Sequence, residues 1–200
     1  MNGLLAIVIA YLLGAIPFGY LMVKFSTGKD VRAAGSGNIG ATNVLRTTGR
    51  IQGTATLVLD IAKGFAAVWI ASSLTFGSPL WTSAAALAVM AGHAFPVFLR
   101  FQGGKAVASF IGAFLYLTPE PMLATLGLFI IVVAGTGYIS AGSVIAAGAF
   151  PFGVWLILHP PIEVVTASLI AGAFIVYRHK SNLQRIHAGT ENVFRWSRSK

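Results

Sequence analysis

The chain is expected to fold as an all-α, polytopic transmembrane helix bundle of about seven helices. Three observations carry that expectation. Of 200 residues, 56% are hydrophobic and only 10% charged, with a mean hydropathy of +0.80, whereas soluble domains carry about 25% charged residues. The apolar residues fall into long runs, and a bilayer span needs roughly 20 of them. The basic residues sit in a few clusters between those runs. Residues 1–200 therefore read as a single transmembrane domain with no separate soluble domain.

The apolar runs lie at about 4–23, 54–74, 81–99, 107–118, 121–138, 142–158 and 162–177. The first, Leu4 to Val23, has no basic residue before it and is long enough to span, so it reads as a helix rather than a cleaved signal peptide. The fourth, Val107 to Thr118, is short for a span. Turn or helix-start signals separate the outer ends: Gly77-Ser78-Pro79, Thr118-Pro119-Glu120-Pro121 and His159-Pro160-Pro161. Small residues in the later helices, such as Gly142 and Gly172, suit close helix packing in lipid. No clean internal repeat is visible.

Charge sets the orientation. Lys24, Lys29, Arg32, Arg46 and Arg50 belong to a loop near 25–53, and Arg100 and Lys105 to a loop near 100–106. Arg178, Lys180, Arg185, Arg195, Arg198 and Lys200 belong to a tail at 178–200. The segments 75–80, 118–121 and 159–163 contain no Lys or Arg. The positive-inside rule places all three basic regions in the cytoplasm. Seven helices satisfy this, with the N-terminus outside and the C-terminus cytoplasmic. A net charge of +9 gathered at loops fits anionic lipid head groups or anionic substrates better than nucleic acid.

Three polar clusters share that face, and the helices are expected to hold the first against the other two. The first is GSGNIGATNVLR, Gly35 to Arg46. Its glycines at 35, 37 and 40 permit positive φ and close approach of a ligand to the main chain. Ser36, Asn38, Thr42 and Asn43 add neutral hydrogen-bonding groups, and Arg46 a planar cationic fork suited to phosphate. The formal G-x-G-x-x-G is not a dinucleotide fingerprint, because no strand precedes it and no βαβ unit follows. The second cluster is GHAFPVFLRFQGGKAVA, with His93, Gly103, Gly104 and Lys105. Its Gly-Gly-Lys fails the Walker pattern, having Leu99 where Gly belongs and Ala106 where Ser or Thr belongs. Pro96 should loosen the helix after His93. The third is YRHKSNLQRIHAGTEN, in which Arg178, Asn182 and Arg185 recur on one helical face beside His179. Asp60 and Lys63 add a charged pair one turn apart inside the second apolar run. They read either as a neutralising ion pair or as a phosphate-holding Lys63 oriented by Asp60.

Several chemistries are excluded by what is missing. There are no cysteines, no HExxH, no metal-ligand spacing and no G-x-S-x-G. His93 is followed five positions on by Phe98, so a His-x4-Asp acyltransferase pair is absent. With five carboxylates in the chain, general-base equipment is scarce. The inner face instead suits anion binding and stabilisation of developing negative charge.

Together the segments GSGNIGATNVLR, GHAFPVFLRFQGGKAVA and YRHKSNLQRIHAGTE, with TLVLDIAKGF around Asp60 and Lys63, resemble the bacterial acyl-phosphate:glycerol-3-phosphate acyltransferases across essentially the whole chain. One departure is Ala106, where that family usually has Gly. The resemblance implies a seven-helix enzyme of the bacterial cytoplasmic membrane with its active site at the cytoplasmic face. It implies an acyl phosphate donor, an sn-glycerol 3-phosphate acceptor, lysophosphatidic acid and inorganic phosphate as products, and no metal or other cofactor. Ser36, Asn38, His93, Lys105 and His179 are then the expected catalytic residues. Gly37, Thr42, Asn43, Arg46, Lys63, Gly103, Gly104, Asn182 and Arg185 are the expected substrate-binding residues. Ser36, Gly37, Asn38 and Lys105 with its glycines are assigned to one phosphate, and Arg46, His179, Asn182 and Arg185 to the other. Which phosphate is the donor's stays open, as does whether His93, His179 or a substrate phosphate takes the hydroxyl proton. A transporter of a phosphorylated metabolite and a non-enzymatic scaffold for anionic lipids are the alternatives. The gathering of polar groups at one face, rather than at the midplane, counts against transport.

Overall fold

The computed structural model describes residues 2–194, so Arg195, Arg198 and Lys200 of the expected tail lie outside the described residues. Among the described residues the chain is helical throughout, with no strands. It divides between Leu117 and Thr118 into two compact units.

The first unit contains α1 (Asn2–Ala15), α2 (Phe18–Thr27), α3 (Ala41–Thr47), α4 (Arg50–Leu74), α5 (Pro79–Ala94) and α6 (Val107–Leu117). The helix α4 runs through its middle and packs on each of the other five, and α1 also lies along α5. Small residues make the crossings close. A Cβ on Gly14 would collide with the Val89 backbone, and one on Gly92 with the Tyr11 carbonyl. Gly64 abuts the Ser109 carbonyl and Gly112 the Ile61 carbonyl in the same way, which locks α4 to α6.

The second unit contains α7 (Pro119–Thr136), α8 (Ile139–Leu158), α9 (Ile162–Arg178) and α10 (Lys180–His187). Here α8 packs between α7 and α9, and α10 rests on α8 and α9. Prolines open α7 at Pro119 and precede α9 at Pro161, positions where a missing N–H costs nothing.

All seven expected runs are helical. Five stretches are long and apolar enough to cross a membrane: Asn2–Thr27, Arg50–Leu74, Pro79–Leu99, Pro119–Thr136 and Ile139–Leu158. The pair α9 and α10, bent by 50°, would make a sixth, whereas α6, with 11 residues, is short. Three boundaries differ from expectation, each for a local reason. The first run breaks at Ile16-Pro17, because Pro17 has no N–H to donate and its ring crowds the preceding turn. The third run leaves the α-helix at Ala94, just before Pro96. The segment from Gly35 to Arg46 is a loop only as far as Gly40, after which α3 carries Thr42, Asn43 and Arg46.

Candidate active site

In the first unit the Gly35–Gly40 loop is built around one side chain. Asn43 is 2% exposed. Its Oδ1 accepts the Ser36 N–H at 2.9 Å, and its Nδ2 faces the carbonyls of Asn38, Ala34 and Val31 at 2.8, 3.1 and 3.3 Å. Gly35 and Gly37 take φ of +59° and +70° to make the turn. Gly40 does not; at φ −75° it caps α3, and its N–H is taken by Asn38 Oδ1 at 2.8 Å. Gly37 N–H is also used internally, donating to Ala34 O at 3.1 Å. The loop's main-chain donors at Ser36, Gly37 and Gly40 are thus turned inward. What it offers outward is the exposed Ser36, the half-buried Asn38 and Thr42, and the exposed Arg46 on the last turn of α3. Asn43→Ala should cost about 1–3 kcal/mol, since it strands the buried Val31 carbonyl and removes the partners of the partly buried Ser36 N–H and Ala34 and Asn38 carbonyls. Lower thermal stability, with new protease cleavage between Ala33 and Gly40, would show it. Nearby, the hydrogen-bonded Arg32 guanidinium holds the Asp30 carboxyl below its ordinary pKa and rests 5.4 Å from the Tyr20 ring.

The second cluster is a turn closed onto the end of α5. Gly104 N–H donates to His93 O at 3.1 Å. A Cβ on Gly104 would collide with His93 Nε2, and one on Gly103 with the His93 carbonyl and the Pro96 ring. Glycine is needed here because the backbone lies directly on the imidazole. Arg100, Phe101 and Ala106 take positive φ of 53°, 63° and 62°, and Lys105 sits half-buried between Gly104 and Ala106. For Ala106, in the left-handed region and 1% exposed, Gly is the unstrained choice. Ala106→Gly should stay within about 1 kcal/mol of the parent, because lost strain offsets lost methyl burial. Ala106→Val should cost about 2–3 kcal/mol. Thermal unfolding in detergent reads both.

Behind that turn lies a buried charged cluster. Lys63 Nζ is 2.8 Å from Asp60 Oδ1 and donates to Ile16 O at 2.8 Å, at the break between α1 and α2. It also sits 5.6 Å from the Phe18 ring centroid. His93 Nδ1 is 3.6 Å from the same carboxylate oxygen. Asp60, Lys63 and His93 are 1%, 5% and 3% exposed.

In the second unit, α9 ends at Arg178 and the chain bends at His179, so Arg178 does not share a helix with Asn182 and Arg185. The latter two do share a face of α10, and both reach Glu191. Glu191 Oε1 accepts from Asn182 Nδ2 at 2.7 Å and Ser140 Oγ at 3.0 Å, and Oε2 from Arg185 Nε at 2.7 Å. Burial pushes the Glu191 pKa up, but the hydrogen bonds from Asn182, Arg185 and Ser140 outweigh it and hold the carboxyl below its ordinary value. His179 is 4% exposed. Its Nδ1 lies 2.7 Å from Ile175 O, a contact in which the ring nitrogen donates, since a carbonyl only accepts. Glu191 is the polar residue that reasoning from residue types passed over. Its one signal was its place at the end of the third motif.

An all-helical membrane scaffold carrying basic, glycine-rich turns defines an integral membrane protein equipped for anionic ligands. The family model for glycerol-3-phosphate acyltransferase matches residues 4–189, and the chain belongs to that family. It is 45% identical over 195 residues to the glycerol-3-phosphate acyltransferase of Geobacter sulfurreducens, covering 98% of this chain and 99% of that one. It is 46% identical over 186 residues to that of Geotalea daltonii, covering 93% and 94%. Two solved structures of PlsY (YgiH), an integral membrane glycerol 3-phosphate acyltransferase, also match. The glycerol 3-phosphate form has a TM-score of 0.92 at 34% identity, covering 98% of this chain and 96% of that one. The lysophosphatidic acid form has a TM-score of 0.89 at 33% identity with the same coverage.

Proposed function

We propose that the protein moves a fatty acyl group from an acyl phosphate to the 1-hydroxyl of sn-glycerol 3-phosphate, releasing 1-acyl-glycerol 3-phosphate and inorganic phosphate. The observation that carries this reading is family membership over residues 4–189. The similar structures named for glycerol 3-phosphate and lysophosphatidic acid correspond to an acceptor and a product of this reaction. The distribution of basic loops supports a bacterial cytoplasmic membrane, with the N-terminus outside and the basic loops and C-terminus cytoplasmic.

The chemistry asks for little. An acyl phosphate is already activated, so the protein aligns the alcohol and neutralises the departing phosphate. The hydroxyl oxygen attacks the acyl carbon, the bond between that carbon and the bridging oxygen breaks, and its electron pair leaves with the phosphate. From the first unit, Ser36, Asn38, Thr42, Arg46 and Lys105 supply neutral and cationic donors to phosphate oxygens. From the second, Asn182 and Arg185 supply donors fixed by Glu191, and His179 is one candidate, beside His93, to accept the hydroxyl proton. A phosphate of the substrate is the competing base, favoured by the scarcity of carboxylates on the inner face.

The reading is tested by phosphate release from a fatty acyl phosphate with the purified protein in detergent. Release should require sn-glycerol 3-phosphate. A transporter needs a sealed vesicle and would release none.

A further inference from the structure

We propose that Asp60, Lys63 and His93 form a buried positioning unit that sets the Gly103–Lys105 turn, and so the affinity of the phosphate-bearing substrate that Lys105 holds, without touching substrate. This inference rests on the acyltransferase reading above and gives two of its expected site residues, His93 and Lys63, a different task.

The geometry runs as one connected path. At the α1–α2 break, the Ile16 carbonyl accepts from Lys63 Nζ, and the same ammonium faces Asp60 Oδ1, both at 2.8 Å. Asp60 faces His93 Nδ1 at 3.6 Å. The far edge of that imidazole, Nε2, abuts Gly104, while the His93 carbonyl accepts the Gly104 N–H at 3.1 Å. Ring and backbone of one residue thus fix the glycine next to Lys105. The helices on either side of the turn are anchored as well. The Phe95 carbonyl beyond α5 accepts from Tyr11 Oη at 2.8 Å, and α6 is locked to α4 at Gly64 and Gly112.

Energetics favour a positioning role over a purely stabilising one. Buried ionised groups gain little over well-packed apolar residues of the same size, yet removing one partner alone is costly. Such a network at 1–5% exposure is poor value as glue, and its worth lies in where it holds the turn. Lys63, already committed to Asp60 and Ile16, suits this role better than direct phosphate binding. His93, whose two ring nitrogens face Asp60 and Gly104, suits it better than proton transfer to substrate.

The test separates KM from kcat in His93→Gln and Asp60→Asn, with thermal unfolding measured on the same preparations. Each variant should raise KM for the substrate whose KM also rises in Lys105→Arg, by about tenfold. KM for the other substrate and kcat should stay within about threefold. The double variant should be no worse than the poorer single one, because the residues act as a unit. Loss of packing alone would instead lower the midpoint and the folded fraction, reducing apparent kcat with both KM values unchanged, and that result overturns the proposal. So does parental kinetics in both variants, or an additive double. If His93→Gln does not fold, Asp60→Asn, nearly isosteric, decides alone. Lack of turnover by the parent protein would instead defeat the acyltransferase reading itself.

Discussion

Replacing Lys105 with alanine is expected to lower kcat/KM for phosphate release by about 10²–10³-fold, the loss seen when a donor aimed at developing charge is removed. The protein should remain folded. Lys105 is half-buried, and the turn carrying it is held through Gly104 and the His93 carbonyl at 3.1 Å rather than through the ammonium alone. Lys105→Arg should recover part of the activity, because it keeps the charge but places it in a planar fork. Asn38→Ala should show a smaller version of the same loss, together with some loosening of the loop, since Asn38 Oδ1 accepts the Gly40 N–H at 2.8 Å. Turnover equal to the parent in Lys105→Ala and Asn38→Ala would move the reading to a lipid-binding scaffold, which needs only diffuse basic charge.

The second large effect is structural. Glu191→Ala should destabilise the protein by about 2–4 kcal/mol. It removes the acceptor shared by Ser140, Asn182 and Arg185 and leaves two nearly buried donors unmet. Arg185 is 36% exposed at its side chain, so solvent screens part of that loss. Glu191→Gln should recover some of it, keeping one acceptor oxygen. The pH dependence follows from the depressed carboxyl. A group whose folded pKa lies below its unfolded one stabilises the fold fully above the unfolded value. That stability is lost as pH falls through the folded value. The protein should therefore lose stability as the pH drops below about 4, and Glu191→Gln should flatten that slope. Thermal unfolding in detergent across acidic pH measures both; an unchanged slope in Glu191→Gln would contradict the assignment.

Much of this was legible in the residues, and the exceptions have physical causes. Hydropathy placed all seven helical runs because, in lipid, composition and length nearly determine what a segment can be. The break at Pro17 was hidden by its apolar surroundings, since hydropathy does not register a missing N–H. The Gly35–Arg46 cluster was legible as a polar unit, but not its internal division of labour. Asn43 and Ser36 look alike as neutral hydrogen-bonding residues in sequence, yet one is buried as the loop's staple and the other exposed. Pairing of Asp60 with Lys63 followed from helical spacing, whereas the approach of His93 to Asp60 depends on how α4 packs on α5, which no local pattern encodes. Likewise Glu191 is one residue among many in the 178–200 tail by sequence, and only its bonds to Asn182, Arg185 and Ser140 give it a role.

The most direct measurement follows both products of one reaction. Purified protein in detergent is given a fatty acyl phosphate and sn-glycerol 3-phosphate, with phosphate assayed by colour and lipid by mass spectrometry. One acylated glycerol 3-phosphate is expected for each phosphate released, with neither formed when the acceptor is omitted. Phosphate released without an acylated product, or no turnover by the folded protein, would contradict the acyltransferase reading.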